Sequence, residues 1–150
     1  MLVRLFSISI ALLAFATTPS QAKISGCYER VYNKSELGRH PQQLVTAMRL
    51  QVGQFADDNP ELQDKIFAKF RGSNEWLDGV AICKTKGKKA TCGIEADGGV
   101  FSVDEIAGGV RITNIVDMRF GDEENGRSAA PENDMKTFTL KKRSSGICSQ

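Results

Sequence analysis

One histidine occurs in the chain, and any catalytic arrangement that needs an imidazole would have to use it. This residue, His40, stands before Pro41 in a polar stretch. A Ser-His-Asp or Cys-His site also needs a presented nucleophile, and no Gly-x-Ser-x-Gly segment occurs in the sequence. A solvated histidine in a turn is the favoured interpretation, so we assign no catalytic residue.

Four carboxylates surround the Gly98-Gly99 pair, namely Glu95, Asp97, Asp104 and Glu105. Two carboxylates held a few ångström apart can act as acid and base in glycoside hydrolysis. This pattern supplies one alternative function, a carboxylate-dependent hydrolase acting on envelope glycans. The competing interpretation is turn chemistry, because Asp-Gly-Gly is typical of a tight turn between two strands and its glycines accept positive φ.

A group of lysines lies between two cysteines, Cys83 and Cys92. It consists of Lys84, Lys86, Lys88 and Lys89. If the two cysteines are bridged, these side chains crowd the tip of a rigid hairpin. Such a tip could dock an acidic envelope protein or an anionic polymer, with charge steering the encounter. The alternative is that the lysines only protect a hairpin against edge-to-edge aggregation. We take the four lysines as candidate binding residues.

The cysteines number four, at positions 27, 83, 92 and 148. An even count behind an export signal indicates two disulfides, for which three pairings are possible. We favour Cys83–Cys92, because a hairpin centred on Gly87 would bring these residues together. We also favour Cys27–Cys148, because the two ends of a compact domain often lie close to each other.

No pattern typical of a metal site is present. The cysteines lack the closely spaced Cys-x-x-Cys pairs of zinc sites, and His40 is far from all of them in sequence. The acidic run Asp122-Glu123-Glu124-Asn125 lacks the ligand spacing of a calcium-binding loop. We therefore expect no metal and no cofactor.

The first 22 residues are typical of a secretory signal peptide. A short start with one charge, Arg4, precedes the apolar run Leu5–Ala16. Ser20-Gln21-Ala22 then places small residues before a cut at Lys23. The run is shorter than the roughly 20 residues of a membrane-spanning helix. We expect residues 1–22 to be removed and the mature chain to be periplasmic or secreted, without a transmembrane segment.

A second interpretation of this region concerns Cys27. The segment Ile24-Ser25-Gly26-Cys27 resembles a lipobox, the signal for attaching lipid to a bacterial lipoprotein. The intervening residues Thr17 to Lys23 are mostly polar, whereas a lipobox normally follows the apolar run directly. Acylation of Cys27 would also leave an odd number of cysteines. A lipid anchor at Cys27 is therefore kept only as the alternative localisation.

Residues 23–150 are predicted to form a single β domain. The full chain carries a net charge of +2, of which the leader holds one charge at Arg4. A balance this close to neutral gives no argument for a nucleic-acid partner. Short alternating segments separated by turn residues are typical of antiparallel structure, so we expect a small barrel or sandwich of about eight strands. One short helical turn is expected over Ser35–Pro41, with Ser35 as its N-cap.

The expected strands follow the alternation of apolar and polar residues. They are Tyr28–Tyr32, Leu44–Val52, Lys65–Arg71, Trp76–Lys84, Ala90–Ala96, Val100–Ile106, Val110–Phe120 (one bent strand or two short ones) and Lys136–Lys142. In the second strand, Leu44, Thr46, Met48, Leu50 and Val52 are expected to share one face. A helix over residues 60–70 competes with the third strand. Asp57–Pro60 is predicted to be a turn, and Gly121–Met135 a mobile loop.

Most of the aromatic residues are assigned to the core. They are Trp76, Phe67, Phe70, Phe101, Phe120 and Phe138. A barrel interior lined by such residues could leave room for a small apolar ligand.

Several segments together resemble a group of small exported proteobacterial proteins of unknown function. They are Gly26-Cys27-Tyr28-Glu29-Arg30-Val31-Tyr32, His40-Pro41-Gln42, Cys92-Gly93-Ile94-Glu95, Asp97-Gly98-Gly99-Val100-Phe101 and the terminal Cys148. The resemblance covers most of the mature chain but implies no activity. By size, export and disulfides the protein is also similar in architecture to small periplasmic barrels that inhibit lysozyme, although their characteristic motif is absent.

The favoured function is a non-catalytic binding or inhibitor module of the cell envelope. Its partner would be an acidic envelope protein or a small ligand. The hydrolase and a purely structural envelope protein are the alternatives.

Overall fold

The computed structural model describes residues 24–53, 64–132 and 135–149. Ten strands and one short helix occur in these ranges. They are β1 (Gly26–Val31), α1 (Lys34–Arg39), β2 (Val45–Val52), β3 (Asp64–Phe70), β4 (Leu77–Lys86), β5 (Lys89–Ile94), β6 (Val100–Ile106), β7 (Gly109–Val116), β8 (Met118–Phe120), β9 (Arg127–Ala129) and β10 (Thr137–Arg143). A 3-10 turn, Ser145–Ile147, follows β10.

Eight of the strands form a closed antiparallel barrel in the order β1-β10-β7-β6-β5-β4-β3-β2. Closure occurs at β1, which pairs with β2 on one side and with β10 on the other. Tyr28 of β1, for example, is opposite both Leu50 and Lys142. Closure leaves the barrel with no free edge strand. The expected fold class is confirmed, and the choice between barrel and sandwich is settled in favour of the barrel.

The alternation along β3 shows how the sequence fills the barrel. Ile66, Ala68 and Phe70 are at most 2% exposed, whereas the residues between them are half-buried on the outer wall. The strand over this segment is confirmed, and the competing helix is wrong. Other strands add large, fully buried side chains, including Met48, Leu50, Ile112 and Leu140. Since these fill an eight-stranded barrel, a small apolar ligand in the interior is disfavoured.

Four of the six assigned aromatic core residues are buried as expected: Phe70, Phe101, Phe120 and Phe138. Phe67 and Trp76 are only half-buried. Phe67 is opposite Arg49 of β2 and Asp78 of β4, on the outer wall of the barrel. The assignment of these two residues to the core is therefore wrong.

The start of β2 departs from the predicted face because of a β-bulge. The pairing with β3 shifts register between Val45 and Ala47. As a result Val45 is fully buried, while Leu44 is 43% exposed. The extra residue of a bulge reverses the alternation on one side of it, which a regular period of two cannot anticipate.

The expected helical turn is present, but its N-cap is Asn33 and not Ser35. The Asn33 side chain accepts a hydrogen bond from the Glu36 N–H at 2.9 Å, and the Glu36 carboxylate accepts one from the Asn33 N–H at 2.9 Å. This reciprocal capping box satisfies two otherwise unpaired donors. Ser35 lies inside the helix.

The segment predicted to be a mobile loop contains β9, which pairs with β8 to form a hairpin. The hairpin is docked on the barrel by backbone hydrogen bonds from Arg119 to Gly98 and from Gly121 to Asp78, each 2.8 Å long. Its side chains are also anchored, since Ala129 is fully buried. Gly99 allows this approach, because a Cβ there would lie 1.9 Å from the Asp117 carbonyl oxygen. Of the two alternatives predicted for Val110–Phe120, the structure has two strands, β7 and β8.

Because successive strands alternate in direction, the connections fall at two opposite ends of the barrel. The helix end carries α1, the β3–β4 and β5–β6 turns and the β8–β9 hairpin. The lysine end carries the β4–β5 and β6–β7 turns, the start of β1 and the 3-10 turn.

Both expected disulfides are present. Cys27 and Cys148 are joined across the lysine end, with a Cα–Cα distance of 5.9 Å. Cys83 and Cys92 are directly opposite each other on β4 and β5, with a Cα–Cα distance of 4.1 Å. The structure argues against the lipid-anchor alternative, because the Cys27 sulfur is bonded to Cys148 and the residue is 1% exposed.

The expected signal peptide and the expected Asp57–Pro60 turn lie outside the described residues. Within the described ranges, no helix is long and apolar enough to cross a membrane.

Candidate functional site

A groove of about 940 Å³ opens at the helix end, between the start of β4, the β5–β6 turn and the β8–β9 hairpin. We call it the hairpin groove. Trp76 and Asp78 line it from the β4 side, Glu95 from the β5–β6 turn, and Arg119 from β8. The groove has a volume within the range of small-ligand sites in proteins.

Glycines bring the walls of the hairpin groove together. At Gly79 of β4, a Cβ would lie 3.0 Å from a methyl group of Ile94 and 3.4 Å from the Arg119 carbonyl oxygen. At Gly98, it would lie 2.4 Å from the same methyl group of Ile94. A larger residue at Gly79 would crowd both Ile94 of β5 and the backbone of β8, and one at Gly98 would displace Ile94, so these positions determine the shape of the groove.

Trp76 is held in place by cations on the outer wall of the barrel. The Arg49 guanidinium lies 4.1 Å from the centroid of the indole ring, and the Lys69 amine lies 5.1 Å from it. Arg49 is itself only 8% exposed and donates to the Glu29 carboxylate at 2.9 Å. The other Glu29 oxygen lies 3.6 Å from Nε of Arg143. The aromatic wall of the groove is therefore fixed before any ligand arrives.

The lining of the hairpin groove carries more carboxylates than cations. The acids are Glu75, Asp78, Glu95, Asp122 and Glu123, and the cations are Arg119 and Arg127. Arg127 is partly engaged elsewhere, since it donates to the Arg71 carbonyl at 3.3 Å. Asp122 accepts hydrogen bonds from the N–H groups of Glu124 and Asn125, at 3.0 and 2.8 Å. The remaining acids give the groove a negative character that favours a cationic ligand.

The four carboxylates predicted around Gly98-Gly99 are not brought together. Glu95 lines the hairpin groove, and Asp97 lies in the same turn. Asp104 and Glu105 stand at the far end of β6, where the Glu105 N–H donates to the Lys88 carbonyl. A seven-residue strand spans roughly 20 Å, so the two pairs lie at opposite ends of the barrel. The four carboxylates therefore do not form a single site, and a hydrolase using Glu95 and Asp97 stays a prediction.

The β5–β6 turn has positive φ at a different set of positions from the two that the Gly98-Gly99 pattern predicted. Positive φ occurs at Ala96 (53°), Asp97 (56°) and Gly99 (98°), but not at Gly98. Gly98 is instead required by the close approach of Ile94. Gly98 is therefore required on steric grounds alone, whereas Gly99 is required both by its positive φ and by the close approach of Asp117.

The four candidate lysines lie at the lysine end, opposite the hairpin groove. Lys84 and Lys86 end β4, Lys89 begins β5, and all four side chains are exposed. Lys89 is within ion-pair distance of Asp104, at 3.3 Å. The bridge between Cys83 and Cys92 joins the two strands below the tip, so the hairpin is stapled as expected. Docking of an acidic partner at this tip stays a prediction.

His40 lies at the C-terminal end of α1 and is exposed. Its carbonyl accepts hydrogen bonds from the Gln43 N–H at 3.0 Å and from Arg71 at 3.4 Å. The histidine lines a second groove of about 380 Å³, between α1, the end of β1 and the start of β10. We call it the α1 groove.

Among the described residues, no group of three or more His, Cys, Asp or Glu side chains is arranged to hold a metal ion. Two features relevant to binding were missed by the sequence analysis. One is the pairing of Arg49 with Trp76, which are 27 positions apart in the sequence. The other is the α1 groove, which combines β1 with β10. Neither could be found without the strand register, and an isolated tryptophan before a strand was the only local signal.

Comparisons of the chain with protein-family models, with curated proteins and with solved structures found no match. The resemblance to small exported proteobacterial proteins therefore stays a prediction, and the function must be argued from the site itself.

Proposed function

We propose that this protein is an exported binding module that captures a cationic peptide segment of a partner protein in the hairpin groove. One observation carries the proposal: a preformed groove whose wall combines a fixed tryptophan with several carboxylates. Lysine and arginine side chains fit this combination, because they form charge-assisted hydrogen bonds and ion pairs with carboxylates.

The rigidity of the groove supports binding over a passive structural role. Trp76 is held by Arg49, and the β8–β9 hairpin is held by backbone hydrogen bonds to Gly98 and Asp78. A site that is ordered before binding avoids the entropic cost of ordering its walls around the ligand.

Two features support export. The first 22 residues have the order of a secretory signal peptide, and all four cysteines are paired in disulfides. Disulfides persist in oxidising compartments such as the bacterial periplasm. We propose that the mature chain begins at Lys23 and acts in the periplasm or outside the cell.

Trp76 makes the proposal directly measurable, because it is the only tryptophan in the chain. We would titrate the purified mature protein with a short peptide rich in lysine and arginine, and follow tryptophan emission. The expected result is a saturable change in emission that weakens as salt rises, since the attraction is partly screened. A glutamate-rich peptide of the same length should produce no saturable change.

Matched variants locate the binding site. Asp78→Asn combined with Glu95→Gln removes two groove carboxylates, and we expect affinity for the basic peptide to fall at least tenfold. Lys84→Ser combined with Lys86→Ser changes the opposite end and should leave this affinity unaltered. Equal affinity in the groove variant and the wild type would show that the hairpin groove is not the binding site.

The lysine tip, formed by Lys84, Lys86, Lys88 and Lys89 at the β4–β5 turn, is a second candidate surface, for an acidic partner. Its support is the staple below the tip and the exposure of all four lysines. Calorimetric titration with the glutamate-rich peptide tests it, using the variant in which Lys84, Lys86, Lys88 and Lys89 are all changed to Ser. Binding to the wild type that disappears in this variant would support the lysine tip, whereas identical binding isotherms would remove it as an interface.

A further inference from the structure

The α1 groove has the opposite charge to the hairpin groove. Its charged lining consists of Arg30, Glu36, Arg39 and Lys136, and His40 also lines it. Glu36 is the only carboxylate in this lining, and it is already occupied. It forms an ion pair with Arg30 and accepts the Asn33 N–H of the capping box. Within the described part of the chain, Arg39 and Lys136 form no ion pair, so the groove has an excess of positive charge.

The loop that carries the groove is held rigidly by one guanidinium group. Arg71, at the end of β3, donates to the carbonyl oxygens of Leu37 at 3.2 Å, His40 at 3.4 Å and Gln43 at 3.1 Å. The Gln43 side chain is buried and donates to the Val45 carbonyl at 2.8 Å. These bonds fix the end of α1, so the backbone that carries Arg39 and His40 is ordered in the free protein.

Tyr32 forms an uncharged part of the groove. The Arg30 guanidinium lies 4.9 Å from the centroid of its ring. Burial raises the pKa of the Tyr32 hydroxyl above its ordinary value, and the nearby Arg30 charge only partly opposes this effect. The hydroxyl therefore stays protonated at neutral pH and is able to donate a hydrogen bond to an anion.

We propose that the α1 groove binds a phosphate group, with Arg39 and Lys136 supplying the charge and Tyr32 an additional donor. Phosphate suits the groove better than a carboxylate does, because it carries more charge and offers more oxygens to donors on different sides. The groove volume of about 380 Å³ accommodates such a head group with a small attached residue.

The phosphate could belong to a soluble phosphate ester or to a phospholipid head group. Two arms of one experiment separate these sources. In the first, amide chemical shifts of the mature protein are followed by NMR during titration with inorganic phosphate and then glycerol phosphate, at constant ionic strength. In the second, the protein is sedimented with phosphatidylglycerol vesicles.

We expect shifts confined to the amides of residues 36–40 and 136–137. In Arg39→Gln combined with Lys136→Gln, affinity should be at least tenfold weaker. The control changes two exposed cations outside the groove and outside the four candidate lysines, Arg111→Gln and Lys141→Gln, and should bind like the wild type. Saturable binding of the soluble probes without vesicle binding assigns the site to a phosphate ester. Vesicle binding that the groove variant loses assigns it to a lipid head group.

Two results would overturn the proposal. One is the absence of both localised shifts and vesicle binding. The other is equal affinity in the groove variant and the control variant. Binding of the basic peptide to the hairpin groove is measured separately through Trp76, so failure here leaves that proposal unaffected.

Discussion

The Arg49 guanidinium lies 4.1 Å from the centroid of the Trp76 ring, although both residues are on the outside of the barrel. Arg49 is only 8% exposed because the indole ring covers it, and Glu29 neutralises its charge from the other side. A nearly buried charge thus fixes the aromatic wall of the hairpin groove. Such an arrangement is costly to break, since removal of one partner leaves the other poorly solvated.

We expect Arg49→Met to lower the free energy of unfolding by about 3 kcal/mol, because Glu29 loses its best-buried partner. The tryptophan emission maximum should also move to longer wavelength as Trp76 becomes more exposed. Urea denaturation followed by fluorescence gives both quantities. Lys69→Met is the control, since this amine lies farther from the ring, at 5.1 Å, and its loss should cost less than about 1 kcal/mol. Equal losses in the two variants would contradict the special role of Arg49.

The two disulfides should contribute unequally to stability. Cys27 and Cys148 are separated by 121 positions, whereas Cys83 and Cys92 are separated by 9. On the loop-entropy argument, replacing the long bridge by two alanines costs about 5 kcal/mol and replacing the short one about 2.7 kcal/mol. Chemical denaturation of the two double variants checks the order. A larger loss from the short bridge would show that native contacts, and not loop closure, dominate its effect.

Substitutions at two glycines with positive φ should separate a steric requirement from a conformational one. Gly99→Ala places a methyl group 1.9 Å from the Asp117 carbonyl oxygen, so we expect a loss above about 3 kcal/mol and a displaced β8–β9 hairpin. Gly87→Ala meets no atom within 4 Å and should cost only about 1 kcal/mol. Thermal unfolding measures both. Similar midpoints for the two variants would argue against tight docking of the hairpin.

Stability should fall in alkaline solution through two tyrosines. Burial is the main cause that raises the pKa of both Tyr28 and Tyr32 above the ordinary value of 10.0. Between the unfolded and the folded pKa, the unfolded chain has released protons that the folded protein still holds, so rising pH favours unfolding. The contribution of these groups is complete below the unfolded pKa. Urea titrations at about pH 9 and about pH 11 should show the decline.

The matched variants Tyr28→Phe and Tyr32→Phe test this origin. Each removes one phenol that titrates, so the decrease in stability between the two pH values should be smaller in each variant than in the wild type. Tyr28→Phe also loses the hydrogen bond to the Ser25 carbonyl, so it should start from a lower stability. A decrease identical to that of the wild type in both variants would assign the alkaline effect to other groups.

Two neighbouring acids distinguish a binding groove from a catalytic pair. Glu95 lines the hairpin groove, whereas Asp97 stands in the turn outside its lining. We expect Glu95→Gln to weaken the basic peptide severalfold and Asp97→Asn to change its affinity by less than twofold. The same two variants test the hydrolase alternative with envelope glycans as substrate. Glycan cleavage by the wild type that both variants abolish would favour the enzyme over the binding module.

The strands of the barrel and its short disulfide could be predicted because local patterns determine them. Ile66, Ala68 and Phe70 alternate with polar neighbours, and Gly87 marks the hairpin that brings Cys83 to Cys92. The bulge after Val45 could not be predicted, since it depends on how β2 and β3 pair. The β8–β9 hairpin was missed for a similar reason. Its docking depends on backbone hydrogen bonds to Gly98 and Asp78, which are distant in sequence, and its own composition is polar.

The candidate site was the part least accessible from sequence. Glu95 was identified, but as one member of a carboxylate cluster that a seven-residue strand divides. The lysines were correctly placed at an exposed tip, whereas the hairpin groove at the opposite end had no signature. The hairpin groove is formed by a turn, a strand end and a docked hairpin that only barrel closure brings together. No single segment of the sequence therefore predicts it.

The bridge between Cys27 and Cys148 determines which end of the barrel can be joined to a surface or to another domain. It ties together the places where the described chain enters and leaves the barrel, and both lie at the lysine end. A surface, a filament or a second domain joined at either place would therefore be attached at the lysine end of the barrel. The two oppositely charged grooves would then face outward, away from the tether and toward whatever approaches.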